Sequence, residues 1–215
     1  YIPMIPSDLF CALPPGHIGE DCFEQTQQSK LEKKAQIELL YIGGLSNHYQ
    51  MHKLFSALSH FRPYEVKFTL CTREQEWNQV KKEYCLSLPE NIEVVHKSGE
   101  ELVPLFDRAD IAMLFVKPQE YWQFAEPVKL YEYLGEKKPI IATCGTLAGQ
   151  FVESNKIGWT IPYDEQALIE LLTELLSDVS LLDTTKANML MLVDQHTWLA
   201  RAKYVVDDLQ GRVKV

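Results

Sequence analysis

The sequence predicts an α/β fold built on a mostly parallel sheet. From residue 37 onward, short apolar runs alternate with segments of helical length and period, and the alternation repeats five times. After residue 163 the pattern is helical only. Parallel strands need crossover connections, and helices usually make these connections on both faces of the sheet. We therefore predict a Rossmann-like three-layer domain with C-terminal helices that flank the sheet.

Six short apolar runs are predicted as strands, because strands buried on both faces read as continuous apolar stretches. In chain order they are residues 37–42, 66–71, 92–95, 111–116, 139–142 and 159–161. Five helices are predicted between them, because their apolar residues recur at helical spacings. These helices are residues 51–60, 74–86, 100–109, 127–135 and 146–155.

Two apolar stripes predict helices after residue 163. Residues at spacings of three and four lie on one face of a helix. The first stripe consists of Leu168, Leu172, Leu175 and Leu176, and the second consists of Trp198, Ala202, Val205 and Leu209. We expect both helices to pack on the flank of the sheet.

Residues 1–36 differ in composition from the rest of the chain. Proline and glycine break any regular period there, at Pro3, Pro6, Pro14, Pro15, Gly16 and Gly19. We interpret this segment as a linker or wrapped arm from a missing N-terminal domain, and residues 37–215 as the Rossmann-like domain. The chain begins at Tyr1 without a charged and then apolar leader, so we expect it to be a fragment.

The composition excludes several functional classes. The chain has 215 residues, of which 46% are apolar and 24% charged, and its formal net charge is -9. A net acidic chain without a basic stripe is unsuited to nucleic acid. The longest apolar run, residues 111–116, is far too short for a transmembrane segment. Five scattered cysteines without a CxxC pair fit a reduced, cytoplasmic chain.

The first candidate site follows the first predicted strand. Ligands of doubly wound sheets bind beyond the carboxyl ends of the strands. Gly43 and Gly44 lie at this point, and His48 lies shortly before the next helix. Adjacent glycines let backbone amides approach a phosphate, and a helix N-terminus favours negative charge. A tight turn that needs glycine explains the same residues, because neither GxGxxG nor GK[ST] is present.

The second candidate site is the predicted helix at 127–135. Pro127 suits a first helical turn, where the missing N–H is not needed. Lys129 and Glu132 lie on a different face from the apolar residues of this helix. A carboxylate there can accept two hydrogen bonds from a diol such as a ribose, while helix-end amides receive phosphate oxygens. An amphipathic helix with a solvated lysine and glutamate explains the pattern equally well.

The segment PVKLYEYLGEKKPIIATCG, residues 127–145, resembles a motif of a known enzyme family. The motif is P-x-K-x-x-E-Y-L-x-x-x-K-P-[VI]-[IV], from the nucleotide-sugar-binding half of GT-B glycosyltransferases of the group 1 (family 4) type. Four further segments are similar to the same family: YIPMIPSDLF, LLYIGGLS, LVPLFDRADIAMLF and SNKIGWTIPYD. The resemblance covers roughly residues 1–10 and 37–210.

The resemblance implies one half of a GT-B fold, which binds a nucleotide sugar and takes part in transfer of the sugar to an acceptor. It implies polysaccharide or glycoconjugate synthesis with retention of the anomeric configuration. We expect no metal and no cofactor, since there is no DxD triplet. A missing N-terminal domain would bind the acceptor, so the isolated chain is expected to be inactive. We expect a cytoplasmic protein, with any contact to the inner face of a membrane made through the missing half.

The resemblance also implies roles for individual residues. Glu132 matches the second Glu of the family's E-x7-E motif, which holds the donor ribose hydroxyls. Val128 and the loop before it match the backbone near the donor diphosphate, and the glycine pair 43–44 matches the loop that faces the same phosphates. His96 and Lys97 match the region that flanks the base.

Two departures from the family bear on activity. Phe124 replaces the first Glu of E-x7-E, so the carboxylate beside the donor sugar is missing unless Glu120 or Glu126 substitutes for it. Gly44 replaces the arginine expected after the glycine loop, and the expected lysine is also absent. Compensating charge could come from His48, Lys53, Arg73 or Lys129.

Two alternative functions stay open. The domain could be a non-catalytic Rossmann-like interaction module that has lost donor binding, or it could bind another nucleotide or phosphate ligand. Other motifs are set aside: His48 and His52 have the spacing of zinc ligands without a third ligand nearby, and Cys144 lacks a nucleophile elbow. We expect Trp122 rather than Trp77 to stack on a sugar, since Trp77 should pack its own helix.

Overall fold

The chain forms a single parallel sheet in this computed structural model, which describes residues 36–45, 49–84 and 88–211. Within these ranges the sheet has six strands in the order β3-β2-β1-β4-β5-β6, and every neighbouring pair is parallel. The strands are β1 (Ile37–Ile42), β2 (Val66–Cys71), β3 (Ile92–Val95), β4 (Ile111–Leu114), β5 (Ile140–Thr143) and β6 (Gly158–Ile161). The predicted α/β fold is confirmed. Residues 1–35 of the predicted arm lie outside the described residues.

Helices connect the strands and follow the last one. They are α1 (His52–Leu58), α2 (Glu74–Tyr84), α3 (Val103–Arg108), α4 (Val128–Gly135), α5 (Leu147–Asn155), α6 (Glu165–Ser177), α7 (Ser180–Leu192) and α8 (Trp198–Leu209). Short 3-10 helices span Gly99–Leu102, Glu120–Gln123 and Val193–His196. All five predicted crossover helices are present, although the helix predicted at 100–109 begins as a 3-10 helix.

Side-chain caps fix the starts of three helices. The Thr146 hydroxyl accepts a hydrogen bond from the Gly149 amide at 2.9 Å at the start of α5. Asp164 caps α6 and Thr197 caps α8 in the same way. Such caps satisfy amides that have no partner inside the helix, and each typically stabilises a helix by about 1 kcal/mol.

The sheet separates two hydrophobic layers. Along β1, Leu39 and Tyr41 face one layer and Leu40 faces the other, and each is at most 1% exposed. This alternation arises because successive side chains of a strand point to opposite faces. Helices α1 and α6 cover the first layer, whereas α4 and α5 cover the second. The carboxyl ends of the strands therefore lie between two sets of helices.

Strand β4 ends at Leu114, two residues before the predicted end at 116. The Thr143 hydroxyl accepts a hydrogen bond from the Val116 amide at 3.0 Å and donates one to the Val116 carbonyl at 2.8 Å. A side chain thus takes the place of a strand partner, so the chain leaves the sheet with its buried polar groups still paired.

The C-terminal helices flank the sheet, as predicted. Leu168 and Leu175 of α6 are fully buried, so this helix packs closely on the domain. Helix α8 packs less closely, because none of its residues is buried and Leu209 is 81% exposed. It contacts α4, where the Arg201 guanidinium lies 4.3 Å from the ring centroid of Tyr131. An apolar stripe indicates a helical face but does not identify what covers it.

The winding of the sheet reverses between β1 and β4. Strands β2 and β3 extend the sheet on one side of β1, and β4, β5 and β6 extend it on the other. The loops that leave β1 and β4 therefore diverge and leave a crevice at the carboxyl edge. Helix α4 is anchored there, because the Tyr133 hydroxyl accepts a hydrogen bond from the Ile42 amide at 3.0 Å.

Candidate functional site

The loop after β1 requires glycine at its first residue. Gly43 has a φ of +147°, and its amide donates to the Cys71 carbonyl at 2.9 Å. A Cβ atom on Gly43 would lie 2.1 Å from Cε of Lys129, so the lysine side chain lies directly on the loop backbone. Glycine both permits this φ and leaves room for the lysine. The structure thus brings together residues from both candidate segments.

The ammonium group of Lys129 lies among aromatic rings. Its Nζ donates to the Tyr41 hydroxyl at 2.7 Å and lies 3.6 Å from the ring centroid of Tyr49. Burial lowers the pKa of Lys129 to about 7, and the charges of Glu132 and Glu76 act in the opposite direction. The charged form of this lysine is therefore disfavoured relative to that of an exposed lysine. This environment contradicts the alternative of a solvated lysine and glutamate on an exposed face.

The start of α4 lies at the same edge of the crevice. Pro127 has extended dihedrals (φ -73°, ψ 135°) and immediately precedes Val128, the first helical residue. Glu132 lies one turn further along and is partly buried. Burial raises the pKa of the Glu132 carboxyl, and the charge of Lys129 lowers it. A carboxylate and a helix N-terminus thus belong to the same helix as the lysine that contacts the glycine loop.

Glu76 on α2 also contacts the glycine loop. Its Oε2 accepts a hydrogen bond from the Leu45 amide at 2.8 Å, and its Oε1 lies 3.0 Å from Nη1 of Arg73. A Cβ atom on Gly44 would lie 3.0 Å from the same Oε2. Arg73, a predicted source of compensating charge, is therefore paired with a carboxylate while its side chain is 83% exposed.

Sequence reasoning missed three residues of this cluster: Tyr41, Tyr49 and Glu76. Tyr41 lies inside an apolar strand, where nothing in the spacing marks its hydroxyl as a partner of Lys129. Glu76 lies in the first turn of a helix, where acidic residues are common because they favour the helix dipole. Only their positions in the sequence could have indicated these residues, since they lie close to the carboxyl end of β1 or β2.

The predicted base-flanking residues lie further along the carboxyl edge. His96 and Lys97 follow β3, which is separated from β1 by β2. The His96 Nδ1 lies 2.8 Å from the Thr72 carbonyl oxygen, and the Lys97 carbonyl accepts a hydrogen bond from the Cys71 thiol at 3.4 Å. Both contacts are with the end of β2. The predicted site residue His48 lies outside the described residues.

The position of the missing first glutamate holds an exposed aromatic ring. Phe124 is 69% exposed. Glu126 forms a hydrogen bond with the side chain of Tyr131. Burial, and then this hydrogen bond, raise the pKa of Tyr131 well above its usual range. Glu120 is exposed at the start of its 3-10 helix. The carboxylate expected beside the donor sugar is thus replaced by a phenyl ring that faces solvent.

The prediction that Trp122 stacks on a sugar is wrong. Its side chain is only 3% exposed, and its ring centroid lies 4.9 Å from that of Tyr49. A buried ring cannot offer its face to a ligand. The exposed aromatic residues of this loop are Tyr121 and Phe124. Trp77 packs against the apolar layer, as predicted.

The remaining motifs give no reactive centre in the described part of the chain. His52 stacks on Tyr84 with ring centroids 4.5 Å apart. Partial burial and then the charge of Glu153 raise the pKa of the Cys144 thiol, which disfavours a nucleophilic thiolate. Across the described ranges, no three His, Cys, Asp or Glu side chains are grouped to hold a metal ion. No helix in these ranges is long and apolar enough to cross a bilayer.

The fold is that of one half of a GT-B glycosyltransferase. HepE from Anabaena, solved with UDP and glucose, is similar with a TM-score of 0.66 and 16% identity over 96% of this chain and 54% of that chain. WaaG, a glycosyltransferase involved in lipopolysaccharide biosynthesis, gives a TM-score of 0.63 and 16% identity over 97% of this chain and 55% of that chain. This chain spans about half the length of both.

A solved C-terminal domain matches over nearly its whole length. This is the C-terminal domain of LpcC from Francisella tularensis, a glycosyl transferase group 1 family protein. Its TM-score is 0.55 and its identity is 16%, over 90% of this chain and 98% of that domain. The match agrees with the interpretation of this chain as a C-terminal half.

Residues 36–178 match the family described as glycosyl transferases group 1. The chain belongs to this family, and the resemblance identified from the segment 127–145 is confirmed. No curated protein matches the chain. The roles assigned to individual site residues stay predictions.

Proposed function

We propose that this chain is the donor-binding half of a glycosyltransferase that transfers a sugar from a nucleotide-activated donor to an acceptor. The observation that carries the proposal is the meeting of the glycine loop with α4. There Lys129 covers Gly43, and Glu132 lies on the same helix one turn away. This meeting lies at the reversal point between β1 and β4, where doubly wound sheets bind their ligands.

Each group has a chemical task in this proposal. Glu132 accepts hydrogen bonds from the ribose hydroxyls of the donor. Lys129 and the backbone at Gly43 and Gly44 bind the diphosphate. The first amides of α4, from Val128 onward, face the negative charge that develops on the departing nucleotide. Fixed amides and one cation then stabilise the leaving group without a metal ion.

The acceptor site belongs to the part of the enzyme that lies outside this chain. The chain spans 54% of HepE and 55% of WaaG. In a two-domain transferase, closure excludes water and completes the site between the halves. We propose that the isolated chain binds the donor without catalysing transfer. The whole enzyme would retain the anomeric configuration and act in polysaccharide or glycoconjugate synthesis in the cytoplasm, with any membrane contact made through the other half.

Amide-resolved NMR titration of the 215-residue chain tests donor binding. UDP is the first ligand, because the similar HepE was solved with UDP, and GDP, ADP and their sugar conjugates follow. Half a site should bind weakly, with a dissociation constant of about 1 mM. We expect shifts centred on Gly43, Gly44, Val128 and Glu132.

Two variants make this titration specific. Glu132→Ala should abolish the shifts, because it removes the acceptor of the ribose hydroxyls. Glu136→Ala is the matched control, because Glu136 is a partly buried glutamate just after the same helix and should bind like the wild type. Equal binding by Glu132→Ala and the wild type would contradict the proposed donor site.

A non-catalytic interaction module is the second candidate function. The exposed Phe124 in place of a carboxylate favours it, as does Gly44 in place of the arginine. This alternative would be supported if no nucleotide at saturating concentration changed the amide shifts of a protein whose spectrum shows a folded domain. Binding of nucleotides with no preference for the attached sugar would instead support a different phosphate ligand.

A further inference from the structure

The glycine loop already holds an anion that belongs to the protein. The Glu76 carboxylate accepts a hydrogen bond from the Leu45 amide at 2.8 Å through one oxygen. Its other oxygen is paired with Arg73 at 3.0 Å. The approach is close, because a Cβ atom on Gly44 would lie 3.0 Å from the same carboxylate. A loop amide that could receive a phosphate oxygen is therefore bound by a side chain.

The Glu76 carboxylate also interacts electrostatically with the ammonium group of Lys129. The negative charge of Glu76 raises the pKa of Lys129 against the larger effect of burial. The side chain of Glu76 is 26% exposed, so its charge is only partly screened by water. A loop amide and the ammonium group of Lys129 would attract a phosphate. The charge of Glu76 partly neutralises both. An incoming phosphate meets a like charge at the point where it needs a donor.

We propose that Glu76 is an intramolecular competitor for the anion site of the glycine loop, and that a ligand phosphate must displace it from the Leu45 amide. Displacement also loosens the contact between Glu76 and Arg73, so the exposed guanidinium becomes available to the phosphate. Glu76 then determines how strongly the site binds a diphosphate. This inference rests on the proposed function, because it concerns the same donor site.

A purely structural role of Glu76 leads to a different expectation. If the carboxylate only holds the loop in shape, then weakening it should leave phosphate binding unchanged or make it weaker. If the carboxylate competes, then neutralising it should make phosphate binding tighter. Glu76→Gln separates the two roles, because glutamine keeps the length of the side chain and an oxygen for the Leu45 amide but carries no charge.

The test uses pyrophosphate as the probe, because pyrophosphate reads the anion site without a base or a sugar. Binding to the full 215-residue chain is followed by NMR shifts at Gly43, Gly44 and Leu45. We expect Glu76→Gln to bind about tenfold more tightly than the wild type, since an anionic acceptor is lost from the loop. The control is Glu74→Gln, which removes the same charge from an exposed position of the same helix and should bind like the wild type.

A second variant covers the case in which Glu76→Gln does not fold. Glu76→Asp keeps the charge but is one methylene shorter, so it withdraws the carboxylate from the Leu45 amide. We expect it to bind pyrophosphate more tightly than the wild type and more weakly than Glu76→Gln. Equal affinity of the wild type and the folded position-76 variants overturns the proposal, as does an equal gain in Glu74→Gln or the absence of pyrophosphate binding in every protein.

The outcome is separable from that of the proposed function. Nucleotide binding that depends on Glu132 but is the same in Glu76→Gln and the wild type would overturn the competitor role and leave the donor site standing. Tighter pyrophosphate binding in Glu76→Gln, with no nucleotide binding in any protein, would support the competitor role and remove the donor function.

Discussion

The ammonium nitrogen of Lys129 lies 2.7 Å from the hydroxyl oxygen of Tyr41. Tyr41 is a fully buried strand residue, and its hydroxyl donates a hydrogen bond to the Gly44 carbonyl at 2.8 Å. One chain of hydrogen bonds therefore joins α4, the central strand β1 and the glycine loop. The protonation state of a single lysine is in this way linked to the backbone of the proposed phosphate site.

Removing the charge of Lys129 should stabilise the fold, and more so at low pH. The unfolded chain has an ordinary lysine pKa, whereas burial lowers the folded pKa to about 7. Between the folded and the unfolded pKa, the unfolded state binds more protons. The loss of folding stability caused by burying the charged lysine is therefore complete below pH 7 and disappears as the pH rises toward about 10.5. We expect Lys129→Met to raise the free energy of unfolding more at pH 6 than at pH 9, as measured by urea denaturation. An equal gain at both values would contradict the buried charge.

The contribution of Lys129 to pyrophosphate binding should be larger at pH 6 than at pH 8. Lys129 is protonated below its pKa of about 7 and then attracts the anion. The other groups that face it are Tyr41, Tyr49, Glu76 and Glu132. Burial raises the pKa of both tyrosines, so they stay neutral in this range, and burial also raises the pKa of Glu132.

The control for this pH dependence is Lys129→Met. Pyrophosphate itself titrates in the same range, but its ionisation is common to both proteins and cancels in the comparison. The ratio of the wild-type affinity to the Lys129→Met affinity should therefore fall from pH 6 to pH 8, as measured by titration calorimetry. A constant ratio would mean that Lys129 does not carry the pH dependence.

Gly43→Ala should destabilise the protein more than Gly145→Ala does. Both glycines have positive φ, so alanine is strained at each by about 1 to 3 kcal/mol. At Gly43 the new Cβ also meets Cε of Lys129 at 2.1 Å, whereas at Gly145 nothing lies within 4 Å. The end of the lysine side chain can move aside, so the clash should add only a small further loss in the free energy of unfolding. The double change Gly43→Ala with Lys129→Ala should remove this excess, and persistence of the excess would show that the lysine is not its source.

Thr143→Val should loosen the end of β4. The hydroxyl of Thr143 pairs with both backbone polar groups of Val116, and valine would leave them buried without partners. We expect a loss of about 1 to 3 kcal/mol in the free energy of unfolding. Thr143→Ser keeps the hydroxyl, so it should lose less, and faster amide hydrogen exchange at Val116 should appear in the valine variant alone.

Helix α8 should dock less firmly in mild acid. The ring centroid of His196 lies 5.6 Å from that of Tyr131 and 5.1 Å from that of Phe151. Burial and then the charge of Arg201 lower the pKa of His196, whereas the charge of Glu126 raises it. The undocked state binds the proton more readily, so docking weakens as the pH falls below about 6.5. Amide shifts of α8 should therefore change between pH 7.5 and pH 5.5.

His196→Phe is the control for this prediction. Phenylalanine keeps an aromatic ring between Tyr131 and Phe151 but cannot take up a proton. The amide shifts of α8 should then be the same at both pH values. The same acid-dependent change in the variant and the wild type would assign the effect to another group.

The order and type of the regular elements could be predicted because they depend on local patterns. The strand at 37–42 was predicted to the residue, since a mostly apolar run bounded by glycine is typical of a buried parallel strand. The end of β4 was predicted two residues too late, because Phe115 and Val116 are as apolar as the strand before them. What ends the strand is the hydroxyl of Thr143, a tertiary contact that no local pattern records.

The candidate site could be predicted only in outline. The rule that ligands bind at the carboxyl edge correctly brings Gly43 and Lys129 to one place. The partners of that lysine could not be predicted, since Tyr41 and Glu76 come from other elements and have ordinary local roles there. The burial of Trp122 was missed for the same reason, because loop position alone does not determine exposure.

The reversal of winding between β1 and β4 has a consequence for the order of folding. Ile42 and Tyr133, whose hydrogen bond fixes α4 to the end of β1, are 91 positions apart in the chain. A contact between such distant positions forms slowly, because the entropy of closing the intervening chain must be overcome before the contact contributes. We therefore expect the glycine loop and α4 to meet late in folding, after both halves of the sheet have paired. If the proposed donor site is correct, a partly folded chain should not bind a nucleotide, and ligand binding would then report on completely folded molecules alone.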